Sequence, residues 1–369
     1  MPYQNSHNSQ SIAKVIRVCI TIALVLSMTA CDYLTGLWSG KAISKSTSKE
    51  ITQLTLAVSP HVAWTPWFFA EEEGIFKSYM QDYKVDIHFI SGTYADTIEQ
   101  FINGKVDAVA ITNIDAIARL IKHNIEADVI LITSYSNGSD AVLLHVDTNT
   151  DIRGQTVAVV EYSAKHYLLD RYLMRNQIPF ESVKLRNVPE SDLPATFISQ
   201  DVYGVAAGNP NMDRILQEQQ AKILFDSRQI PNEIMDLIVV KREILTAHPD
   251  FAKALLAAWF SVMEKLKGSS KGPTLDTLAR LSGLPREVYE KQLEATRLND
   301  TPTKALSAIR DRSMKKTMRF IRYFMERHSL TGDKGYTEWV SYPGRTPALL
   351  HFNGEPLQGF IAPTENQGS

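Results

Sequence analysis

Residues 92–118, GTYADTIEQFINGKVDAVAITNIDAIA, decide how the chain is read. Residues 93–103 predict a helix, VDAVAIT (106–112) a buried strand, and residues 113–123 a second helix with Asn113 as its N-cap. Outward from there the same alternation recurs. QLTLAVS (53–59) reads as a strand by its period of two and its β-branched content, followed by a helix over 67–80 and a strand at VDIHFI (85–90). ADVILITSYS (127–136), AVLLHV (141–146), QTVAVV (155–160), VKLRNV (183–188), VYGVAA (202–207), AKILFD (221–226) and DLIVV (236–240) continue the strands. Helices are predicted over 164–176, 190–199 and 209–219, and beyond residue 242 the pattern is almost entirely helical. Strands alternating with helices at this spacing predict βαβ units and parallel sheets, an α/β class.

Two α/β blocks are visible. HVDTNTDIRG (145–154) is polar and strand-breaking, and a second break near Asp226–Met235 contains Pro231. Two such crossovers make the second block an insertion. The expected layout is a first lobe of 53–145 plus 236–330, a second lobe of 150–230 and a tail of 331–369. Two lobes on two connections support hinge closure on a ligand.

The 369 residues carry 39 Lys+Arg against 41 Asp+Glu, a formal charge of −2, with 44% hydrophobic and 22% charged residues. These values exclude a disordered or collagenous chain, and the near balance of charge argues against a nucleic-acid partner. Cys19 and Cys31 are the two cysteines, so the chain beyond residue 31 has no disulfide, CxxC metal site or thiol nucleophile. No GxSxG, HExxH or P-loop signature occurs. Neither a cofactor nor a metal is expected.

Residues 1–30 read as a signal peptide. Lys14 and Arg17 precede the apolar run 18–30, which is too short to span a bilayer. Met28-Thr29-Ala30-Cys31 resembles the bacterial lipobox, which implies cleavage before Cys31 and lipidation of that cysteine. Asp32 resembles the signal for retention in the inner membrane. GKAISKSTSKE (40–50) reads as a flexible tether, so residues 31–52 are expected to hold a folded body off the outer face of that membrane.

AWTPWFFAEEEGIFK (63–77) and residues 92–118 resemble the solute-binding proteins of nitrate/sulfonate/taurine-class ABC importers. SNGSDAVLL (136–144), VAVVEYSAKHYLL (157–169), AAGNPNMDRI (206–215) and FDSRQIPNEIMDLIVV (225–240) are most similar to the branch encoded beside urea carboxylase and guanidine-degrading enzymes. Over residues 52–265 the resemblance implies a type II periplasmic-binding-protein fold without catalysis. It also implies a small-molecule ligand, an ABC permease as partner and a monomeric binding protein. Gly208 departs from the branch, where a bulkier residue is expected before Asn-Pro. Thiamine-pyrimidine synthases share the fold, but the cysteine-rich iron motif of those enzymes is missing here. A sensor lobe for a membrane receptor is a further alternative.

In open α/β sheets ligands bind beyond the carboxyl ends of the strands. Those ends offer Trp64, Trp67, Tyr94, Thr112, Asn113, Asp115, Asn137, Asp140, Glu161 and Asn209 as ligand-binding candidates. The set has aromatic faces, amides, a hydroxyl and three acids but no arginine, and Lys165 is the one permanent cation near it. A small planar cation such as guanidinium, or its neutral isostere urea, suits that set. Nitrate, a sulfonate such as taurine, or a thiamine-precursor pyrimidine are the alternatives. The mixed-charge stretch 310–327 reads as the outside of a long helix.

Overall fold

The computed structural model describes residues 50–218, 220–330, 340–341 and 349–365. They belong to one unit, Glu50–Ser369. The expected signal peptide, Cys31, the tether as far as residue 49 and much of the 331–369 tail lie outside the described residues.

β1 (Thr52–Val58) pairs in parallel with β2 (Val85–Ser91) and β3 (Ala108–Thr112). Every residue of β3 is buried, as its apolar run demands. β4 (Ala127–Ser136) then leads out of the first sheet. β5 (Asp140–His145), β6 (Thr156–Val159), β7 (Lys184–Asn187), β8 (Gly204–Gly208) and β9 (Ala221–Asp226) form a second sheet in the order β7-β6-β8-β5-β9. β10 (Met235–Lys241) returns to the first sheet between β3 and β4. β11 (Thr296–Leu298) pairs with β4, and β12 (Val340–Ser341) and β13 (Leu350–Phe352) extend the sheet beyond it.

Both sheets are mixed, where the alternation predicted parallel ones. β10 runs antiparallel to β3 and β4, and β5 antiparallel to β8 and β9. The crossovers impose this. β4 arrives at the junction at Ser136 and β10 departs from it at Met235, so the two paired strands must point in opposite directions. The same holds for β5, which leaves at Asp140 beside the end of β9 at Asp226. The strand expected at 141–146 therefore belongs with the second sheet. The first crossover is the short Asn137–Ser139 link rather than 145–154.

Two local features differ from the periodicity. The helix expected over 67–80 is two helices, Thr65–Glu72 and Ile75–Tyr83, separated by Gly74 at φ 67. Glycine meets that left-handed turn without a Cβ clash. Beyond β3, a single turn Asn113–Asp115 runs into a π-helical turn, Ala116–Leu120. Its N-cap is Thr112, whose hydroxyl accepts from the Asp115 N–H, and not Asn113.

After β10 the chain is mostly helical, as expected. The helix Pro249–Lys265 covers the first sheet beside the helices of 65–83, with Trp259 5.2 Å from Trp67. The helix Met314–Arg327 instead packs on the second-lobe helix Ala164–Arg175 through Phe324 against Tyr167, Arg171 over Phe320, and an Asp170–Arg327 ion pair. The expected assignment of all of 236–330 to the first lobe does not describe that helix. Among the described residues no helix is long and apolar enough to cross a membrane.

Candidate functional site

The ends of β1, β3, β6 and β8 and the start of β10 converge on a cavity of about 560 Å³ between the sheets. Its first-lobe wall carries His61, Trp64, Tyr94, Thr112, Asp115, Arg119 and Asp236. Its second-lobe wall carries Ser163, Lys165, Glu190 and Asn209, with Ser136, Ser139 and Asp140 at the crossover.

The aromatic side is fixed from β3. The Thr112 N–H donates to Tyr94 Oη at 3.0 Å, and the Trp64 ring lies 5.4 Å from that of Tyr94. The Thr112 hydroxyl donates to Asp115 Oδ2 at 2.7 Å, and Arg119 Nε stands 3.7 Å from Asp115 Oδ1. Burial raises the Asp115 carboxyl above its ordinary range, while Thr112, Arg119, Lys165 and Tyr94 pull the other way. Burial also drives the Tyr94 hydroxyl far above its usual range, with the Asp115 charge adding to it.

Lys165 is the second residue of the helix Ala164–Arg175, two places after its cap Ser163, and is only 8% exposed. Its ammonium meets Glu190 Oε1 at 3.1 Å. Burial opposes its charge, but Glu190, Asp140 and Asp115 outweigh that and hold it protonated above the ordinary lysine range. Glu190 is lowered in return, chiefly by Lys165. Asp236 accepts from the Ser134 hydroxyl at 2.6 Å, and burial raises its carboxyl. Asp140 accepts from the Ser136 hydroxyl at 2.6 Å. That hydroxyl also lies 2.7 Å from Ser227 Oγ on the second crossover, so the acid is tied to both links between the lobes.

Four carboxylates, Asp115, Asp140, Glu190 and Asp236, thus share the cavity wall with two permanent cations, Lys165 and Arg119. Each cation already has a carboxylate partner. Two cavity residues carry buried polar atoms without a protein partner, Trp64 Nε1 as donor and Asn209 Oδ1 as acceptor. Among the described residues no three His, Cys, Asp or Glu side chains are placed to share a metal ion.

Of the residues expected from strand ends, Trp64, Tyr94, Thr112, Asp115, Asp140 and Asn209 come together here. Trp67, Asn113, Asn137 and Glu161 do not line this cavity. Trp67 is fully buried between Phe76 and Trp259, because its position inside the first helix turns it to the core. Asn113 is fully buried too. Its amide donates to Glu233 O at 2.9 Å and accepts from the Met235 N–H at 3.0 Å, clamping the second crossover. Asn137 is exposed, with its backbone N–H donated to Ala295 O. Glu161 follows the last pairs of β6 and gives its N–H to Asn187 Oδ1 at 3.1 Å, outside the cavity wall.

Three charged cavity residues had escaped the strand-end rule, each for a geometric reason. Asp236 begins a strand, and only the antiparallel direction of β10 brings that end to the cleft. Arg119 lies a turn beyond Asp115 and reaches back to it, so the expected absence of arginine does not hold. Glu190 follows Pro189 by one residue in a short turn that points back to Lys165.

The periplasmic aliphatic sulphonate binding protein SsuA of Escherichia coli superposes with a TM-score of 0.63 at 16% identity, covering 76% of this chain and 94% of that one. SsuA of Xanthomonas axonopodis pv. citri, bound to MOPS, gives 0.64 at 16% identity, over 76% and 95%. The periplasmic nitrate-binding protein NrtA of Synechocystis gives 0.51 at 15% identity, over 65% and 69%. The fold is that of the periplasmic binding proteins, two α/β lobes around a cleft. No curated protein matches the chain. Residues 47–272, more than half of its length and all of the cavity wall, match the model of the NMT1-like family, and the chain belongs to that family.

Proposed function

We propose that this chain is the solute-binding component of an ABC-type importer, and that its cleft takes a small planar nitrogenous cation of the guanidinium type or its neutral isostere, urea. The excess of carboxylate in a buried, aromatic-walled cleft carries this reading. Asp140 and Asp236 remain after Glu190 is matched by Lys165 and Asp115 by Arg119. A charge about 4 Å from a carboxylate is worth on the order of 4 kcal/mol at the effective dielectric of a protein surface. That sign favours a cation and opposes nitrate. Trp64 and Tyr94 supply faces for a flat cation, worth about 1–2 kcal/mol when desolvated.

One observation favours a second reading. The buried Lys165 ammonium and the unpartnered Trp64 N–H are groups that would meet an anionic oxygen, as in a sulfonate or taurine. Under either reading the work is done by closure. Asp236, Trp64 and Tyr94 stand on one lobe and Lys165, Glu190 and Asn209 on the other, so a ligand touching both favours the closed form by its differential affinity. The permease would recognise that form. The Cys31 anchor, attachment on the periplasmic face of the inner membrane and a monomeric state complete the proposal.

A calorimetry and thermal-shift panel tests it: guanidinium, urea, methylguanidine, agmatine, nitrate, taurine and a pyrimidine, at micromolar to low-millimolar levels. Saturable binding of guanidinium or urea is expected. Binding of nitrate or taurine alone overturns the cation assignment and makes Lys165 the centre of the site.

A further inference from the structure

The helix Met314–Arg327 has two unlike faces. Met314, Met318, Ile321, Phe324 and Met325 are buried, while Lys315, Lys316 and Arg319 are exposed. Among the described residues these three have no carboxylate within ion-pair distance, whereas Arg322 and Arg327 pair with Glu326 and Asp170. Lys316 and Arg319 reach only the Phe320 ring, at 6.0 and 5.7 Å. Exposed Arg312 stands two residues before the helix, ahead of its cap position Ser313.

This charge sits where the backbone disfavours it. The first turn has no acid and carries Lys315 and Lys316 at the positive end of the helix. The whole chain is slightly acidic, so the patch does not reflect bulk composition. A local rule broken without an ion-pair partner to offset it marks a surface kept for something other than stability.

We propose that this basic face rests on a bilayer surface rich in anionic lipid headgroups. Charge complementarity gives the sign of the partner. The cations follow one another along the helix and lie outside the cleft cavity. Long flexible side chains on a helix whose apolar face is already occupied suit a laterally mobile anionic sheet, approached by its surface and not by insertion.

Vesicle co-sedimentation of the full chain tests this, with phosphatidylcholine vesicles with and without phosphatidylglycerol. The comparison is a variant combining Lys315→Gln, Lys316→Gln and Arg319→Gln, which has the same amino-terminal segment. The wild-type chain is expected to prefer the anionic vesicles, losing the preference as salt is raised. The variant is expected to lose about tenfold or more of that preference with an unchanged melting temperature. Equal binding of the wild-type chain to both vesicles overturns the proposal and leaves an acidic protein face as the partner. Preference retained in the variant also overturns it, placing the contact on other basic residues. The salt titration of the wild-type chain reads the preference even if the variant fails to fold.

Discussion

Gly208 and Asp140 stand opposite each other on β8 and β5, and the space beside Gly208 is filled by the Asp140 carboxylate. A β-carbon on Gly208 would lie 2.5 Å from Asp140 Oδ1 and 2.9 Å from Lys165 Cε. Both contacts are closer than packed atoms tolerate, so any side chain there displaces the acid or the ammonium. The missing side chain at Gly208 leaves room for the Asp140 carboxylate and the end of the Lys165 side chain. Gly208→Ala is expected to weaken ligand binding at least about tenfold, or about 1.4 kcal/mol, while the protein stays folded. Calorimetry with the ligand from the panel, beside a thermal melt, checks this. Unchanged affinity would mean that Asp140 and Lys165 take no part.

Asp140→Asn and Asp236→Asn each keep shape and remove charge. Each is expected to cost a cationic ligand tenfold or more, since charge-assisted hydrogen bonds contribute about 1.5–3 kcal/mol. Glu161→Gln, outside the cavity, should stay within about twofold. Burial raises the Asp115 and Asp236 carboxyls, and a bound cation would oppose that shift. Cation affinity should then rise with pH through the carboxyl range, and proton release should appear in calorimetry in buffers of different ionisation heat.

Lys165→Met separates the two ligand readings by sign. If the ligand is a cation, removing the ammonium frees Glu190 and affinity rises. If the ligand is a sulfonate or nitrate, the same change removes the buried positive charge and affinity falls by about tenfold or more.

His166 and His328 lie 4.3 Å apart, ring to ring, between the helices Ala164–Arg175 and Met314–Arg327. Burial pushes His166 down to about 3, with His328 adding to it, and pushes His328 down to about 4, with Arg327 adding to it. Both are neutral in the folded protein near neutral pH, whereas in the unfolded chain they take up protons below about 6.5. Stability is thus full above about pH 6.5 and falls as pH drops towards about 4. The neighbouring Asp170, raised by burial, works in the opposite sense at the lower end. Thermal melts across that window should show the fall, and His166→Gln should flatten it.

Asn113→Ala removes the clamp on Glu233 O and the Met235 N–H, leaving two buried backbone groups unpaired. The expected loss is about 1–3 kcal/mol in urea unfolding. A loss confined to ligand affinity would instead mean that Asn113 contacts the ligand.

Most of the architecture was legible because it rests on local periodicity. β4 spans 127–136 and β9 spans 221–226, as their apolar runs predict, and the helix at 164 begins after its capping serine. Strand direction was not legible, since no residue of DLIVV encodes which neighbour β10 will meet. For the cleft, aromatic and acidic residues at strand ends could be read one at a time. Trp64 and Trp67 differ by three positions in one segment, and only packing against Trp259 turns one to the core and leaves the other at the cavity. The sequence by itself determined the two-lobed alternation, the helical carboxyl-terminal part and the candidate residues, because short-range hydrophobic patterning and capping suffice for those. The tertiary structure alone decided which charges share the cleft. Lys165 and Glu190 meet within the second lobe, and Asp236 faces them only because the second crossover returns the chain and brings the start of β10 to the cleft.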